Sequence, residues 1–263
     1  MFNLNNKRAY ITGGSSGIGR AVAELFIENG AQVVIADIVD GTAVANEIGA
    51  KYVQCNVADE QSVADSMASA SELFSGKLDV VVLNAGVGDV GFSIEETEQA
   101  LLEKLTKINE WGVLYGLKHA AKYINDGGSI ICTSSMASVL NVPGSGVYSA
   151  GKRALLSMTE MAALELGERN IRVNAVCPGY VNTALGNSPE EQKFSEVFTA
   201  LGRHAQPKKD VAPVYTFLAS SASRYVTGQY IKVDGGMDLG PTNKLLELVT
   251  GSADSPGKKS GKK

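Results

Sequence analysis

A phenol and an ammonium stand four residues apart in the segment YSAGK, residues 148–152, which has a helical pattern. At this spacing Tyr148 and Lys152 share one face of a helix. A free tyrosine has a pKa of about 10, and a neighbouring ammonium lowers it by favouring the phenolate. Such a tyrosine could exchange a proton with an alcohol oxygen. Taken alone, however, a pair of this kind is by default an exposed contact on a helix surface.

A serine precedes this pair at a position where ligands commonly bind. Ser135 directly follows the apolar segment SIICTS and lies thirteen residues before Tyr148. Parallel sheets bind ligands at the carboxyl ends of their strands. A hydroxyl at that edge could hold a substrate oxygen beside the tyrosine, so the three side chains together predict acid/base chemistry on an alcohol.

A glycine-rich segment, TGGSSGIG at residues 12–19, follows the first predicted strand and opens the first predicted helix. It contains Gly13, Gly17 and Gly19 together with the hydroxyl donors Ser15 and Ser16. Glycines allow a backbone to approach a diphosphate closely, and a helix N-terminus presents free N–H groups to it. An ordinary strand–helix turn is the alternative, but the position in the first βα unit favours dinucleotide binding.

A carboxylate ends the second predicted strand at Asp37, 18 residues after Gly19. It can accept both hydrogen bonds from the ribose diol of an adenosine. The 2′-phosphate of NADP would be repelled at about 4 Å by about 1–4 kcal/mol per charge pair. Ile38 follows the carboxylate, and Arg20 is expected to point along the first helix, so no cation compensates. The sequence therefore favours NAD.

Strands and helices alternate along the chain, which predicts an α/β fold. We expect a single Rossmann-type doubly wound domain with a seven-stranded parallel sheet over residues 1–240. Within it, residues 181–209 interrupt the pattern after the sixth strand and are expected to form a substrate loop or lid. Residues 241–263 form a C-terminal extension whose last part, rich in lysine and glycine, is expected to be disordered.

Composition limits the class of protein. The chain has 263 residues, of which 44% are hydrophobic and 20% charged, and a formal net charge of −4. This charge does not suit nucleic acid or an anionic membrane as a partner. No signal peptide or long apolar segment is seen, which favours the cytoplasm. Three widely spaced cysteines and two histidines indicate buried, reduced thiols and no metal site.

The ordered set of motifs closely resembles the short-chain dehydrogenase/reductase family over about residues 5–238. The motifs are TGGSSGIG, NAG, the serine within TSS, YSAGK, the PG of VCPGYVNT, and VDGG. The resemblance implies Tyr148 as acid/base, Lys152 as the cation that lowers its pKa and binds the nicotinamide ribose, and Ser135 as the residue orienting the substrate oxygen. Asn109 would hold a water in a proton relay. Ser134 is the alternative serine, disfavoured by its spacing.

The same resemblance implies the positions that contact the cofactor. They are Gly13, Ser15, Ser16, Gly17, Ile18, Gly19, Asp37, Ile38, Asn56, Val57, Asn84, Ala85, Gly86, Tyr148, Lys152, Pro178, Gly179, Val181 and Thr183. Asn56 and Val57 would flank the adenine, and Val181 and Thr183 the nicotinamide carboxamide. The family also commonly forms homotetramers.

Two positions depart from the family's usual residues. Asn56 replaces an aspartate, and its amide oxygen is expected to accept from the adenine amino group instead. Gly151 replaces a serine, so a cofactor contact is expected to be lost and the helix slightly weakened.

These observations predict an NAD-dependent oxidoreductase interconverting a secondary alcohol and its ketone. The substrate is expected to be neutral and moderately hydrophobic, because the residues predicted to border the cleft are apolar or small. Those residues are Val139, Val142, Val147, Tyr180 and the segment Gly88–Phe92. The alternatives are an NADPH-dependent 3-oxoacyl thioester reductase and a non-catalytic nucleotide-binding regulatory protein.

Overall fold

The fold is built on one seven-stranded parallel sheet, as predicted. The computed structural model describes residues 2–88 and 90–251. The strands are β1 (Arg8–Thr12), β2 (Gln32–Asp37), β3 (Lys51–Gln54), β4 (Leu78–Leu83), β5 (Ile124–Thr133), β6 (Arg172–Pro178) and β7 (Tyr230–Val233). Their order is β3-β2-β1-β4-β5-β6-β7. Because the order reverses between β1 and β4, a crevice for a ligand is expected at the carboxyl ends of these two strands.

Helices cover both faces of this sheet. They are α1 (Gly17–Glu28), α2 (Thr42–Ile48), α3 (Glu60–Leu73), α4 (Gln99–Leu105), α5 (Gly112–Tyr123), α6 (Gly146–Leu166), α7 (Pro189–Phe198), α8 (Ala212–Ala219) and α9 (Asn243–Thr250). The apolar side chains form two buried clusters, one on each face. The first includes side chains of α3, α5 and α6, and the second those of α1 and α8. Strands buried from both sides explain the continuous apolar segments in the sequence.

The fourth predicted helix is not continuous. The sequence predicts one helix over about residues 96–123, but the structure has α4, a π-helical segment Thr106–Trp111, and then α5. The wider π turns carry Asn109, whose side chain is almost fully buried. π segments often lie at functional sites, and here the irregularity accompanies a predicted catalytic residue.

Two further expectations can be compared with the fold. Cys55, Cys132 and Cys177 are buried and free, as predicted. Across the described part of the chain, no helix is both long and apolar enough to cross a membrane, and no cluster of metal-binding side chains occurs. The predicted disordered tail falls on residues 252–263, outside the described residues.

Candidate active site

The glycine-rich segment presents an uncapped helix N-terminus at the crevice. Ser16 is the N-cap of α1, and its side chain makes no capping hydrogen bond. A Cβ at Gly19 would lie 2.1 Å from the carbonyl oxygen of Gly13, so only glycine fits there. The first N–H groups of α1 have no acceptor within the helix and carry the positive end of its dipole. This arrangement fits the diphosphate of a dinucleotide.

A network of hydroxyl and amide groups holds the glycine-rich segment against β4 and β5. Oγ1 of Thr12 accepts hydrogen bonds from the backbone N–H groups of Asn84 and Ala85. The Asn84 amide donates to the carbonyl oxygens of Thr12 and Gly13 and accepts from Oγ1 of Thr133. The Asn84 side chain therefore positions the glycine-rich segment.

Asp37 ends β2 with both carboxylate oxygens hydrogen-bonded to backbone. Oδ2 accepts from the N–H of Ser15 at 3.1 Å, and Oδ1 accepts from that of Val39 at 3.2 Å. The Tyr52 hydroxyl lies within hydrogen-bond distance of the carbonyl oxygens of Asp37 and Val39 and ties this turn to β3. The sequence alone did not identify Tyr52, since an aromatic residue in a strand is ordinarily a packing residue.

The Arg20 side chain follows α1, as expected, and pairs with carboxylates other than Asp37. Arg20 pairs with Glu24 at 2.9 Å and with Glu47 at 2.5 Å. Ile38 follows the carboxylate and is 61% exposed, so the position after Asp37 carries an apolar surface. Oγ of Ser15 is buried without a hydrogen-bond partner in the described structure, so this hydroxyl does not face the crevice as a free donor.

The predicted catalytic side chains converge at the carboxyl end of β5. The Ser135 side chain lies close enough to Tyr148 to oppose the rise in the pKa of the phenol. The Lys152 ammonium lies 5.8 Å from the centre of the Tyr148 ring and donates to the Thr133 carbonyl at 3.0 Å. Oγ of Ser134 donates instead to the carbonyl oxygen of Lys152, so Ser135 is the serine brought to the tyrosine.

The pKa values of this group differ from the sequence-based expectation. Burial raises the pKa of Tyr148 above 10.0, and the neighbouring Ser135 side chain only partly opposes this. Burial also lowers the pKa of Lys152 from 10.5 to about 8. The ammonium points at the Thr133 carbonyl rather than at the phenol oxygen. The ligand-free site therefore holds Tyr148 protonated, and the expected lowering of its pKa by Lys152 is not seen.

Asn109 is fixed by a reciprocal pair of hydrogen bonds. Its Oδ1 accepts from the N–H of Val87 at 3.0 Å, and its Nδ2 donates to the carbonyl oxygen of Val87 at 2.8 Å. A Cβ at Gly86 would lie 2.9 Å from that Oδ1 and 3.1 Å from Nζ of Lys152. The side chain of Asn109 therefore holds the segment after β4 beside Lys152.

Gly151 faces a carboxylate. A Cβ at this position would lie 3.1 Å from Oε1 of Glu110, at the end of the π-helical segment. Burial raises the pKa of Glu110. A side chain at position 151 would therefore point toward Glu110.

The two ends of the lid segment are joined at one point. Val181 and Ala205 form a parallel bridge, with the N–H of Asn182 donating to the Ala205 carbonyl and the N–H of Ala205 to that of Tyr180. Val181 is buried in the second core cluster, so its side chain does not reach the crevice. Thr183 lies above the glycine-rich segment, 3.6 Å from the position of a Cβ at Gly17.

Beyond this bridge, the chain contacts the segment that follows β4. Side-chain atoms of Leu185 come within 3.5 Å of a Cβ placed at Gly88. A cavity of about 490 Å³ is lined by residues 182–188 and Glu191. Phe92 and Val142 expose 43% and 37% of their surface. The predicted border segment Gly88–Phe92 includes Asp89, which lies outside the described residues.

The remaining predicted residues take varied positions. Val57 packs against Gly112, because a Cβ there would lie 3.0 Å from it. Pro178 ends β6, and a Cβ at Gly179 would lie 2.9 Å from the backbone of Asp234.

Val139 packs against the first core cluster, while the Tyr180 ring contacts Phe194 and His204 at 5.7 and 5.5 Å between centroids. Tyr180 is thus the aromatic contact between β6 and the lid.

Comparison with known proteins gives three kinds of match. A family model described as enoyl-(acyl carrier protein) reductase matches residues 13–238. Momilactone A synthase of Oryza sativa subsp. japonica is 41% identical over 251 residues, covering 90% of this chain and 91% of that protein. Secoisolariciresinol dehydrogenase of Forsythia intermedia is 37% identical over 251 residues, covering 90% of each.

Solved structures show the same fold. A short-chain dehydrogenase from Burkholderia cenocepacia, solved in complex with NADP, superimposes with a TM-score of 0.84 at 30% identity. The match covers 90% of this chain and 99% of that chain.

Proposed function

The chain belongs to the short-chain dehydrogenase/reductase family, and we propose that it is an NAD-dependent oxidoreductase that interconverts a secondary alcohol and its ketone. The observation that carries the proposal is the convergence of the Ser135 and Tyr148 side chains with the buried Lys152 ammonium at the carboxyl end of β5. These groups lie at the carboxyl edge of the sheet, on the same side as the uncapped N-terminus of α1. A proton-transfer group and a dinucleotide cradle are therefore adjacent.

Tyr148 is the general acid/base of this proposal. In the reductive direction it donates its proton to the carbonyl oxygen, and Ser135 holds that oxygen by a hydrogen bond. In the oxidative direction the tyrosine takes the hydroxyl proton. The nicotinamide, when bound, supplies or accepts the hydride at carbon. In the oxidative direction, the Lys152 ammonium would stabilise the phenolate by turning from the Thr133 carbonyl toward the phenol oxygen.

Asp37 supports NAD as the cofactor. Its carboxylate is held by the N–H groups of Ser15 and Val39, and the Arg20 guanidinium is occupied by two glutamates. A 2′-phosphate beside this carboxylate would meet repulsion of about 1–4 kcal/mol per charge pair, equivalent to about a 5- to 1,000-fold loss of affinity.

The mouth of the cleft supports a neutral, moderately hydrophobic substrate. Leu185, Phe92 and Val142 present partly exposed apolar surface around it. The relatives named momilactone A synthase and secoisolariciresinol dehydrogenase are consistent with a small organic substrate.

The test is NADH formation at about 340 nm over a panel of secondary alcohols, diols, hydroxysteroids and hydroxyacyl thioesters, each with NAD and NADP. We expect kcat/KM for NAD to exceed that for NADP at least about fivefold. Tyr148→Phe keeps the ring and removes the proton, so turnover should be lost while NAD still binds. Full activity of this variant on a true substrate would refute the acid/base assignment.

The NADPH-dependent 3-oxoacyl thioester reductase remains the second candidate, because the matching family model is described as a reductase of carrier-protein thioesters and the related structure holds NADP. A preference for NADP together with reduction of an oxoacyl thioester would select it. A protein that binds dinucleotide and turns over no member of the panel would instead be a non-catalytic nucleotide-binding regulatory protein.

Exposed apolar side chains support a homotetramer. Exposed apolar side chains include Trp111 of the π-helical segment (43% exposed), Leu114 of α5 (48%) and Leu164 of α6 (76%). A second group includes Tyr225, fully exposed, and Leu239, 81% exposed. Two such groups suit two kinds of contact between copies. Sedimentation equilibrium should give four chains per particle, and a monomer at micromolar concentration would contradict the proposal.

A further inference from the structure

The cavity beside the lid contains a carboxylate that the proposed reaction does not use. The cavity, of about 490 Å³, is lined by Glu191 and by the lid residues that precede α7. Leu185 on its wall comes within 3.5 Å of a Cβ placed at Gly88. Earlier in that segment, a Cβ at Gly86 would lie 3.1 Å from Nζ of Lys152. The cavity therefore adjoins the segment that borders the proposed reaction centre.

The fold holds the Glu191 carboxylate at one of its two oxygens. Oε2 accepts from the backbone N–H of Ser188 at 2.8 Å, and Oγ of Ser188 accepts from the N–H of Glu191 at 3.2 Å, which together form the capping box of α7. Among residues 2–88 and 90–251, Oε1 has no hydrogen-bond donor. It lies 3.4 Å from the position of a Cβ at Gly186, on the cavity wall. The capping box thus accounts for Oε2 and leaves Oε1 for a ligand.

The carboxylate lies on the side of the lid that meets the sheet. Burial, and after it the charge of Glu191, raises the pKa of the Tyr180 hydroxyl. Tyr180 follows β6, and its carbonyl oxygen accepts from the N–H of Ala205 beside the bridge that closes the lid. The charge of Glu191 is therefore felt at the carboxyl edge of the sheet, where the substrate is expected.

The neighbours of Glu191 suit a hydroxyl group better than a cation. Oδ1 of Asn187 accepts from Nε2 of Gln192 at 2.8 Å, so Nδ2 of Asn187 remains a donor in a residue of the same cavity wall. A hydroxyl can donate to a carboxylate and accept from an amide, whereas an ammonium can only donate. The N-terminus of α7 also offsets part of the negative charge of Glu191, which weakens its attraction for a cation.

Resting on the proposed dehydrogenase function, we propose that this cavity is a subsite for a second hydroxyl group of the substrate, with Glu191 as the specificity-determining residue that accepts a hydrogen bond from it. The substrate is then a diol. One hydroxyl reacts beside Tyr148, and the other is held at the lid. The exposed side chain of Leu185 offers apolar surface to the carbon frame that joins the two groups.

The experiment compares each diol with an analogue in which fluorine replaces the second hydroxyl. Fluorine is close to a hydroxyl in size but has no proton to donate, so it meets the lone pairs of a carboxylate without a hydrogen bond. The value of kcat/KM is measured over a series of diols with increasing separation of the two groups, with NAD and with NADP. At the separation that fits the cavity, we expect the natural protein to prefer the diol at least about tenfold.

Glu191→Gln tests the acceptor. Its carboxamide oxygen must face the N–H of Ser188, because a backbone N–H only donates, so the capping box is kept. The amide nitrogen then replaces Oε1 in the cavity and can donate to a hydroxyl or to fluorine alike. We expect the preference for the diol to fall below about threefold.

Glu190→Gln is the matched control. Glu190 is an exposed residue in the same first turn of α7, and it does not line the cavity. The substitution removes the same charge from the same helix end, so the preference for the diol should stay as in the natural protein.

Four results would overturn the inference while leaving the proposed function intact. They are equal turnover of diol and fluorinated analogue by the natural protein at every separation, an unchanged preference in Glu191→Gln, an equal fall in Glu190→Gln, and loss of turnover of every alcohol in Glu191→Gln. The last would assign Glu191 to the reaction itself instead of to the choice of substrate. If the natural protein oxidises no alcohol with NAD or NADP, the proposed function fails as well.

Discussion

Burial of the charged Lys152 side chain lowers the free energy of unfolding by a measurable amount. It is only 4% exposed, and burial lowers its pKa from 10.5 to about 8. Each pKa unit corresponds to about 1.4 kcal/mol, so holding the charged ammonium inside the folded protein costs on the order of 3 kcal/mol below pH 8. Replacing Lys152 by methionine removes this cost but also the hydrogen bond to the Thr133 carbonyl, worth about 1 kcal/mol. We therefore expect Lys152→Met to raise the free energy of unfolding by about 2 kcal/mol at pH 7.

The stability difference between the natural protein and Lys152→Met should depend on pH, because the pKa of Lys152 differs between the folded and unfolded states. Between about pH 8 and pH 10.5 the unfolded lysine still binds a proton that the folded protein has lost. The stability of the natural protein therefore rises with pH in this window, relative to the methionine variant. The advantage of Lys152→Met should fall from about 2 kcal/mol at pH 7 to nearly zero at pH 10.

Urea denaturation without cofactor, at equal protein concentrations and at pH 7 and pH 10, measures the difference. Lys193→Met is the control, because Lys193 is an exposed lysine of α7 and its replacement should change stability by less than about 0.5 kcal/mol at either pH. A destabilised Lys152→Met at pH 7, or a difference that does not change between the two pH values, would refute the reasoning.

Three other substitutions test contacts of the site and core. Asn109→Ala removes both hydrogen bonds to Val87 and should lower the free energy of unfolding by about 2–3 kcal/mol in urea denaturation; a change below about 0.5 kcal/mol would contradict the reciprocal pairing. Tyr10→Phe removes a fully buried hydroxyl that pairs with a serine and should cost about 1 kcal/mol by the same measurement, so an unchanged stability would count against that bond. Gly151→Ser places a hydroxyl beside Glu110 and should raise the free energy of unfolding by about 0.5 kcal/mol, because serine favours a helix more than glycine does. The affinity for NAD, measured by calorimetry, should stay unchanged within about twofold. A tenfold change in that affinity would show that position 151 faces the cofactor.

The periodicity of the sequence was sufficient for the regular elements. The second strand, Gln32–Asp37, and the helix Thr42–Ile48 have the predicted bounds, because each is flanked by polar or glycine residues that end an apolar pattern. The break at Thr106–Trp111 was not predictable in this way. A π segment forms where a tertiary contact outweighs regular helical bonding, and here Asn109 contacts Val87 on another element.

The positions of site residues were easier to predict than their orientations. Strand ends and motif spacing brought Ser135, Tyr148 and Lys152 together. They did not reveal that Lys152 points at the Thr133 carbonyl or that the Asn84 amide bonds to the Thr12 carbonyl. Both facts depend on which acceptors lie near in three dimensions, and the sequence pattern carries no such information.

The bridge between Val181 and Ala205 makes the lid a replaceable part of the molecule. The chain leaves the sheet and returns to it at this bridge. The residues between contribute α7 and Leu185 and bond to Gly235 and Thr242, but they supply none of the groups that move a proton. Exchange of the intervening segment for that of a relative would leave the catalytic strand ends where they are. Exchanging the segment between Val181 and Ala205 should therefore change substrate specificity while the proton-transfer groups stay in place.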